Sequence, residues 1–205
     1  MTARFNTTAL IRISGTDAAS ASADRSASFS GKYYKFKNVE LFPKPKQSRL
    51  PIYFGGNNPA HLRRTAELAD GWVPAGLPRE TLKRMVGELK ELTEAAGRQF
   101  SNMQIAPQYV VHLGRDQHKA VARYKESQMY KHFESLKKST LKAQSAVKSE
   151  DVNLIGSIDE VVSRAQALRE AGVTHFLGLF FAANSVSELL DQMQMFAEEV
   201  RPKLA

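Results

Sequence analysis

Hydrophobic positions along most of this chain fall into two alternating kinds of block. Short continuous apolar runs end at glycine or proline. Longer stretches carry an apolar residue every third or fourth position. The first kind predicts strands buried on both faces, and the second predicts amphipathic helices. Residues 50–54 form the first run, stopped by Gly55-Gly56. Asn58-Pro59 then offers a capping residue and a proline at the first helical position. Leu62, Ala66 and Ala69 share one face of the helix that follows, which ends at Asp70-Gly71. Residues 72–75 are a second short strand. Pro78 opens a longer helix with Leu82, Met85, Val86, Leu89, Leu92 and Ala96 at helical spacing, closed by Gly97. Residues 104–113 predict a third strand and 175–181 a fourth. A last helix presents Val186, Leu189, Leu190, Met193, Phe196, Ala197 and Val200, with Pro202 behind it.

Two further helical stretches lie between the third and fourth strands. Residues 117–150 read as mostly helical and basic without a strong apolar stripe, and part of them is expected to be a mobile insertion. Ser157-Ile158-Asp159-Glu160 has the form of a capping box: the serine accepts from the amide three residues on, and the glutamate reaches back. Val161, Val162, Ala165, Leu168 and Ala171 give that helix its buried face, before Gly172. Residues 29–42 are apolar-rich and end in Pro43-Lys44-Pro45, which predicts an extended loop or short hairpin. Gly15 to Ser28 is small, polar and without period, so residues 1–28 are expected to be a flexible segment ahead of a domain at 29–205.

The order strand–helix, repeated four times, implies an α/β fold with a parallel sheet covered by helices. Pattern alone leaves open an open doubly wound sheet and part of a barrel. Four units are half of the eight in a (β/α)₈ barrel, which usually takes about 250 residues.

Composition narrows this little. The 205 residues are 42% hydrophobic, as in globular proteins, and contain no cysteine, which excludes disulfides and fits a reducing cytoplasm. No apolar run approaches the roughly 18 residues of a membrane span. The net charge of +8 is concentrated at 32–49, with six Lys/Arg against one Glu, and at 119–150, with eight against three. Neither stretch has the interleaved aromatic residues or metal spacing of a nucleic-acid reader, which argues against that function.

The turn Gly55-Gly56-Asn57-Asn58-Pro59 carries the best candidate chemistry. It joins the carboxyl end of a strand to a helix N-terminus, where glycines allow close approach and unpaired amides attract anions. Read from its residues alone, it is either a phosphate site or simply a tight connection, and the second is commoner. His112 stands near the end of the third strand, where it either meets a ligand or is an ordinary polar residue. Trp72 either walls a pocket or packs in the core. His61 is expected to be solvated, Arg63-Arg64 to solvate a helix face, and His175 to cap a turn. His118 and His132 have no partner at metal spacing, and no metal is expected. Asp159 and Glu160 are explained by capping. Phe180 and Phe181, as strand neighbours, should point to opposite faces.

The run PIYFGGNNPAHLRRTAELADGW resembles a signature of the luciferase-like monooxygenase superfamily. The preceding FSGKYYKFKNVELFPKPKQ and the later LIGSIDEVVSRAQALREAGVTHFLGLFF resemble two more of its segments, in the right order, so the likeness covers roughly 29–204. The resemblance implies a TIM-type (β/α)₈ barrel and a cofactor, FMN or the deazaflavin coenzyme F-420. It implies that the cofactor phosphate lies over Gly55, Gly56, Asn57 and Asn58, with Ala75 and Gly76 also lining the pocket. Asn58 stands where serine is usual, and Ile158 where proline is usual. The barrel half that normally precedes these segments has no counterpart here, so no catalytic residue is carried over. A flavin-dependent oxidoreductase or monooxygenase is one expectation. A non-catalytic half-barrel that dimerises and binds flavin weakly or not at all is the other, and the partner expected is a second copy or a missing N-terminal half-barrel. A basic nucleic-acid binder is a distant third.

Overall fold

The computed structural model describes residues 26–33, 35–40, 42–43, 46, 50–139 and 146–204. The stretch expected to be flexible at the N-terminus therefore lies, up to residue 25, outside the described residues. Strand β1 (Ala27–Ser30) and strand β2 (Lys35–Val39) form an antiparallel hairpin in which Phe29 stacks on Phe36. Asn38 takes the left-handed conformation (φ 56°) at the end away from the turn, where the register shifts between Ala27 and Phe29, and a short polar side chain tolerates it. Its amide donates to the Ser28 hydroxyl.

The remaining strands are parallel. β3 (Tyr53–Gly55) leads into α1 (Pro59–Leu68), and β4 (Gly71–Val73) into α2 (Arg79–Ala95). β5 (Gln104–Ile105) completes a sheet of order β3-β4-β5. β6 (Gln108–Gly114) is followed by α3 (Gln117–Glu126) and α4 (Gln128–Lys137). β7 (Leu154–Ser157) leads into α5 (Ile158–Glu170), and β8 (Gly178–Phe181) into α6 (Val186–Met195) and a π-helical turn, Phe196–Val200. The second sheet has the order β7-β6-β8.

The expected third strand is thus two strands. Gln104 and Ile105 pair with β4, and after Ala106-Pro107 the chain pairs with β8 through Gln108–Val111 and with β7 through Val111–Gly114. Proline cannot donate to a ladder, so the break falls where one is placed. The strand changes neighbours there and joins the two sheets into one series, β3, β4, β5/β6, β8. β7 was not expected: its four residues carry no pattern separate from the helix they open.

One main core lies between the sheets and α1, α2, α5 and α6. It holds Leu62, Trp72, Leu82, Leu89, Ile105, Val111, Leu154 and Val161, all at most 1% exposed. Arg98 closes the far end of α1 by donating to the carbonyls of Ala66 and Ala69, where a helix carries partial negative charge. A second cluster joins Val110, Ile155 and Ala182 to Tyr124, Val121, Met129 and Tyr130. Residues 110 and 155 point opposite to 111 and 154, so α3 and α4 cover the other face of the β7-β6-β8 sheet. The expectation that 117–150 lacks an apolar stripe is corrected here. Ala120 and Tyr124 are buried from α3, and the stripe is short because each helix is only 10 residues long. Residues 140–145 lie outside the described set.

Candidate functional site

The glycine turn forms because β3 and β4 end side by side and both chains must then turn outward to a helix. Gly56 takes φ +108°, a conformation L side chains rarely adopt, and a Cβ there would meet the His61 Nδ1 at 2.6 Å. The Gly56 amide donates to the Val73 carbonyl (3.2 Å), and its own carbonyl accepts from the Trp72 indole (2.8 Å). His61 Nδ1 lies 3.0 Å from the Gly55 carbonyl. The turn is therefore held from beneath by two ring nitrogens on its carbonyls.

Asn57 ties this turn to the next one. Its side-chain amide donates to the Ala75 carbonyl (2.7 Å) and its side-chain oxygen accepts from the Ala75 amide (3.1 Å), a two-point clasp between the ends of β3 and β4. Asn58 is the N-cap of α1: its side chain accepts from the Ala60 amide, and its carbonyl accepts from His61 and Leu62. The structure thus brings Gly55, Gly56, Asn57 and Asn58 together with Ala75 and Gly76, and Gly76 has φ +53°. The helix contributes no free donors. Pro59 has none, and the amides of 60, 61 and 62 are spent on Asn58. The donors left at the turn are the main-chain amides of Asn57 and Asn58, which have no partner among the described residues.

Sequence reasoning missed the Asn57 clasp and the engagement of His61, which is half-buried beneath the turn rather than solvated. A glycine two residues after a strand and a histidine five residues later are the signal that was available. Trp72 is fully buried and belongs to the core, so it supports the turn through its indole N–H and does not wall a pocket. His112 is 3% exposed, with Nδ1 2.8 Å from the Ala182 carbonyl, and serves to join β6 to the end of β8. His175 contacts the Thr174 hydroxyl and packs edge-on against Tyr53. His118 and His132 are exposed, and no group of three or more metal-binding side chains occurs among the described residues. Phe181 packs on Phe196 in the core while Phe180 faces the other way, 46% exposed. The capping box is half made. Ser157 accepts from the Glu160 amide, but the Ser157 amide is taken by the Gln117 side chain and Glu160 pairs with Arg164. Among the described residues, no helix is long and apolar enough to cross a membrane.

A cavity of about 240 Å³ opens elsewhere, lined by Leu77, Tyr109, Leu154 and Arg164 among others. It begins one residue beyond Gly76 and contains none of the six turn residues. Burial pushes the Tyr109 hydroxyl above its usual range, which keeps it a neutral group.

Compared with known proteins, residues 17–175 match the model of the luciferase-like monooxygenases. A segment of 70 residues is 39% identical to an uncharacterized protein of Mycobacterium tuberculosis, covering 34% of this chain and 24% of that protein. An F-420-dependent secondary alcohol dehydrogenase, solved with an F-420–acetone adduct, superposes with TM-score 0.66 at 21% identity, over 89% of this chain and 57% of that one. The oxygenating constituent of 3,6-diketocamphane monooxygenase from Pseudomonas putida, solved with FMN, superposes with TM-score 0.68 at 17% identity, over 98% of this chain and 64% of that one. A monooxygenase from Streptomyces bottropensis gives TM-score 0.68 at 20% identity, over 89% and 57%. The chain spans about three fifths of these solved structures, and its fold is that of a partial barrel.

Proposed function

The chain belongs to the luciferase-like monooxygenase family, and from that premise we propose that it forms the cofactor-phosphate half of a flavin- or deazaflavin-dependent oxidoreductase. The observation that carries this reading is the Asn57 clasp. It fixes two glycine turns together at the carboxyl ends of neighbouring parallel strands, with the amides of Asn57 and Asn58 left without partners among the described residues. Barrel enzymes place their chemistry at that end. The lack of a side chain at Gly56 makes room for His61 beneath the turn, and the donors left above it, the Asn57 and Asn58 amides, suit phosphate oxygens. The residues therefore fit the phosphate end of FMN or of F-420, each of which is bound by a protein of similar fold.

When bound, the cofactor supplies the two-electron redox chemistry; the protein supplies position and exclusion of water. The main-chain amides of Asn57 and Asn58 would hold the phosphate, and Gly56 shapes the turn that presents them. Trp72 and His61 hold the turn in its shape from below. Asn57 orients the Ala75-Gly76 loop against the bound group. The substrate and the catalytic side chains belong with the four further βα units that a closed barrel requires, which a homodimer or an N-terminal half-barrel would provide.

Titration of the purified chain with FMN, and separately with F-420, followed by quenching of cofactor fluorescence, tests this. Binding of one of them should weaken at least tenfold in Gly56→Val, whose Cβ collides with His61, and in Asn57→Ala, which releases the loop. Binding of neither cofactor, or binding indifferent to both substitutions, overturns the assignment.

A further inference from the structure

The cavity beside Leu77 lies on the helix-covered side of the sheets, away from the glycine turns. Its walls come from the approach to α2, the segment entering β7, and one side of α5. Leu77, Val152, Leu154 and Leu168 make its body apolar. Tyr109 from β6 borders it and is 4% exposed. The Tyr109 ring packs edge-on against Phe176 at 5.5 Å, which fixes the ring and with it the phenol oxygen. That hydroxyl has no hydrogen-bond partner among the described residues, and burial is what acts on it. Nor is it sealed off: the enclosed side-chain polar atoms without partners among the described residues are the Tyr124 and Ser149 hydroxyls. The Tyr109 oxygen therefore opens on the cavity that its ring borders. A polar group held this deep normally has a partner, and here the cavity is where one must come from.

The charges around the cavity cancel. Arg79 and Arg164 stand against Asp151 and Glu160. Both guanidiniums are already engaged: Arg79 donates to Glu80, and Arg164 to Glu160 and to the carbonyls of Glu150 and Asn153. A charged ligand gains little there, and an uncharged one loses nothing. The volume is about 240 Å³, and an apolar cavity of roughly 150 Å³ is enough to hold benzene. We propose that this cavity is a binding site for a small neutral monocyclic compound carrying one hydroxyl or carbonyl oxygen. The oxygen pairs with the Tyr109 hydroxyl, and the ring lies against Leu154 and Leu168. Water can pair with the hydroxyl but gains nothing from the apolar walls, whereas a ring removes them from water. The site shares no residue with the glycine turns, so it and the cofactor reading can fail separately.

Titration of the full chain with phenol, followed through its amide chemical shifts by nuclear magnetic resonance, tests this. The amides of Leu77, Val152 and Leu154 should shift saturably at millimolar phenol. Toluene, of similar shape but without the oxygen, should bind about five- to tenfold more weakly. Tyr109→Phe should weaken phenol by a similar factor and leave toluene unchanged. Ala167→Phe, which fills the space from α5, should abolish binding of both with the far-ultraviolet circular dichroism unaltered. Benzoate and benzylammonium, charged rings of similar size, should bind less tightly than phenol. A cavity that takes only water leaves those amides unmoved by phenol and overturns the proposal. So does phenol binding that is equal in the parent and in Tyr109→Phe, or either charged ring bound as tightly as phenol.

Discussion

The two sheets of this molecule solve the same problem in different ways. In the β3-β4-β5 sheet the core lies on one side, against α1 and α2, and β3 buries none of its three residues fully. In the β7-β6-β8 sheet, helices cover both faces, and β6 buries five residues in succession, from Tyr109 to Leu113. The covered sheet uses buried polar side chains where its ladder runs out. Gln192 from α6 accepts from the Leu113 amide (2.6 Å) and donates to its carbonyl (2.9 Å). Asn153 accepts from the Val110 amide (2.9 Å). The open sheet leaves main-chain donors at Asn57 and Asn58 without a partner among the described residues. A buried unpaired amide is costly, whereas one near solvent costs little and can hold a ligand. The contrast explains why the candidate site lies on the less covered half.

Glycines at the two turns should separate the regions most. Gly156 sits at φ +147° with Gln117 packed on it, and that side chain is the acceptor for Ser157. Gly156→Ala should cost about 3 kcal/mol, from backbone strain and displacement of Gln117. A shift in the midpoint of urea unfolding measures it. A loss no larger than that of Gly56→Ala would erase the contrast, because His61 can rotate aside and Gln117 cannot without leaving Ser157 unpaired.

A smaller effect is expected at Gln192. Replacing it by leucine strands one buried donor and one buried acceptor of Leu113, and should cost about 2 kcal/mol. Asn57→Ala, at the exposed clasp, should cost about 1 kcal/mol by the same urea measurement, since water can replace the lost partners. Equal losses at the two positions would mean that the clasp is as dry as the core.

The smallest effect concerns pH. Arg123 bonds to Glu188 through two nitrogens, at 2.8 and 2.9 Å, and together with the Asn184 amide holds that carboxyl below the usual carboxylate range. A pKa lowered in the folded state stabilises above the unfolded value, and the contribution is lost as pH falls through the folded value. The partners are partly exposed, so screening keeps it small. Thermal unfolding of Glu188→Gln should therefore be slightly less stable than the parent at neutral pH, with the difference vanishing in acid. A difference that persists below the carboxylate range would assign the effect to packing.

Much of the fold was legible in the residue pattern. The Asn58 cap, the proline behind it and the faces of Leu62, Leu82, Leu89 and Val161 are local facts, set by helical periodicity and by which side chains can satisfy a helix end. The glycine turn was legible for the same reason: few residues other than glycine accept φ +108°. What was not legible depends on distant partners. The strand at 104–113 reads as one run because periodicity does not record neighbours, and the switch from β4 to β7 and β8 exists only in the register. His61 reads as a solvated first-turn residue until Gly55 and Gly56 fold over it. The reciprocal half of the capping box was displaced by Gln117, 40 residues earlier.

Apart from β7 and the break at Ala106-Pro107, the sequence by itself determined the order of strands and helices, most of their caps, and the glycines that must turn, because each of these is decided within a few bonds of the residue concerned. Only the tertiary structure decided that Asn57 clasps Ala75, that Trp72 supports the turn from the core, and that α3 and α4 cover the second sheet while the first keeps a face open. Those outcomes depend on which surfaces meet after the chain has folded, and residues far apart in sequence carry no local mark of the partner they will find.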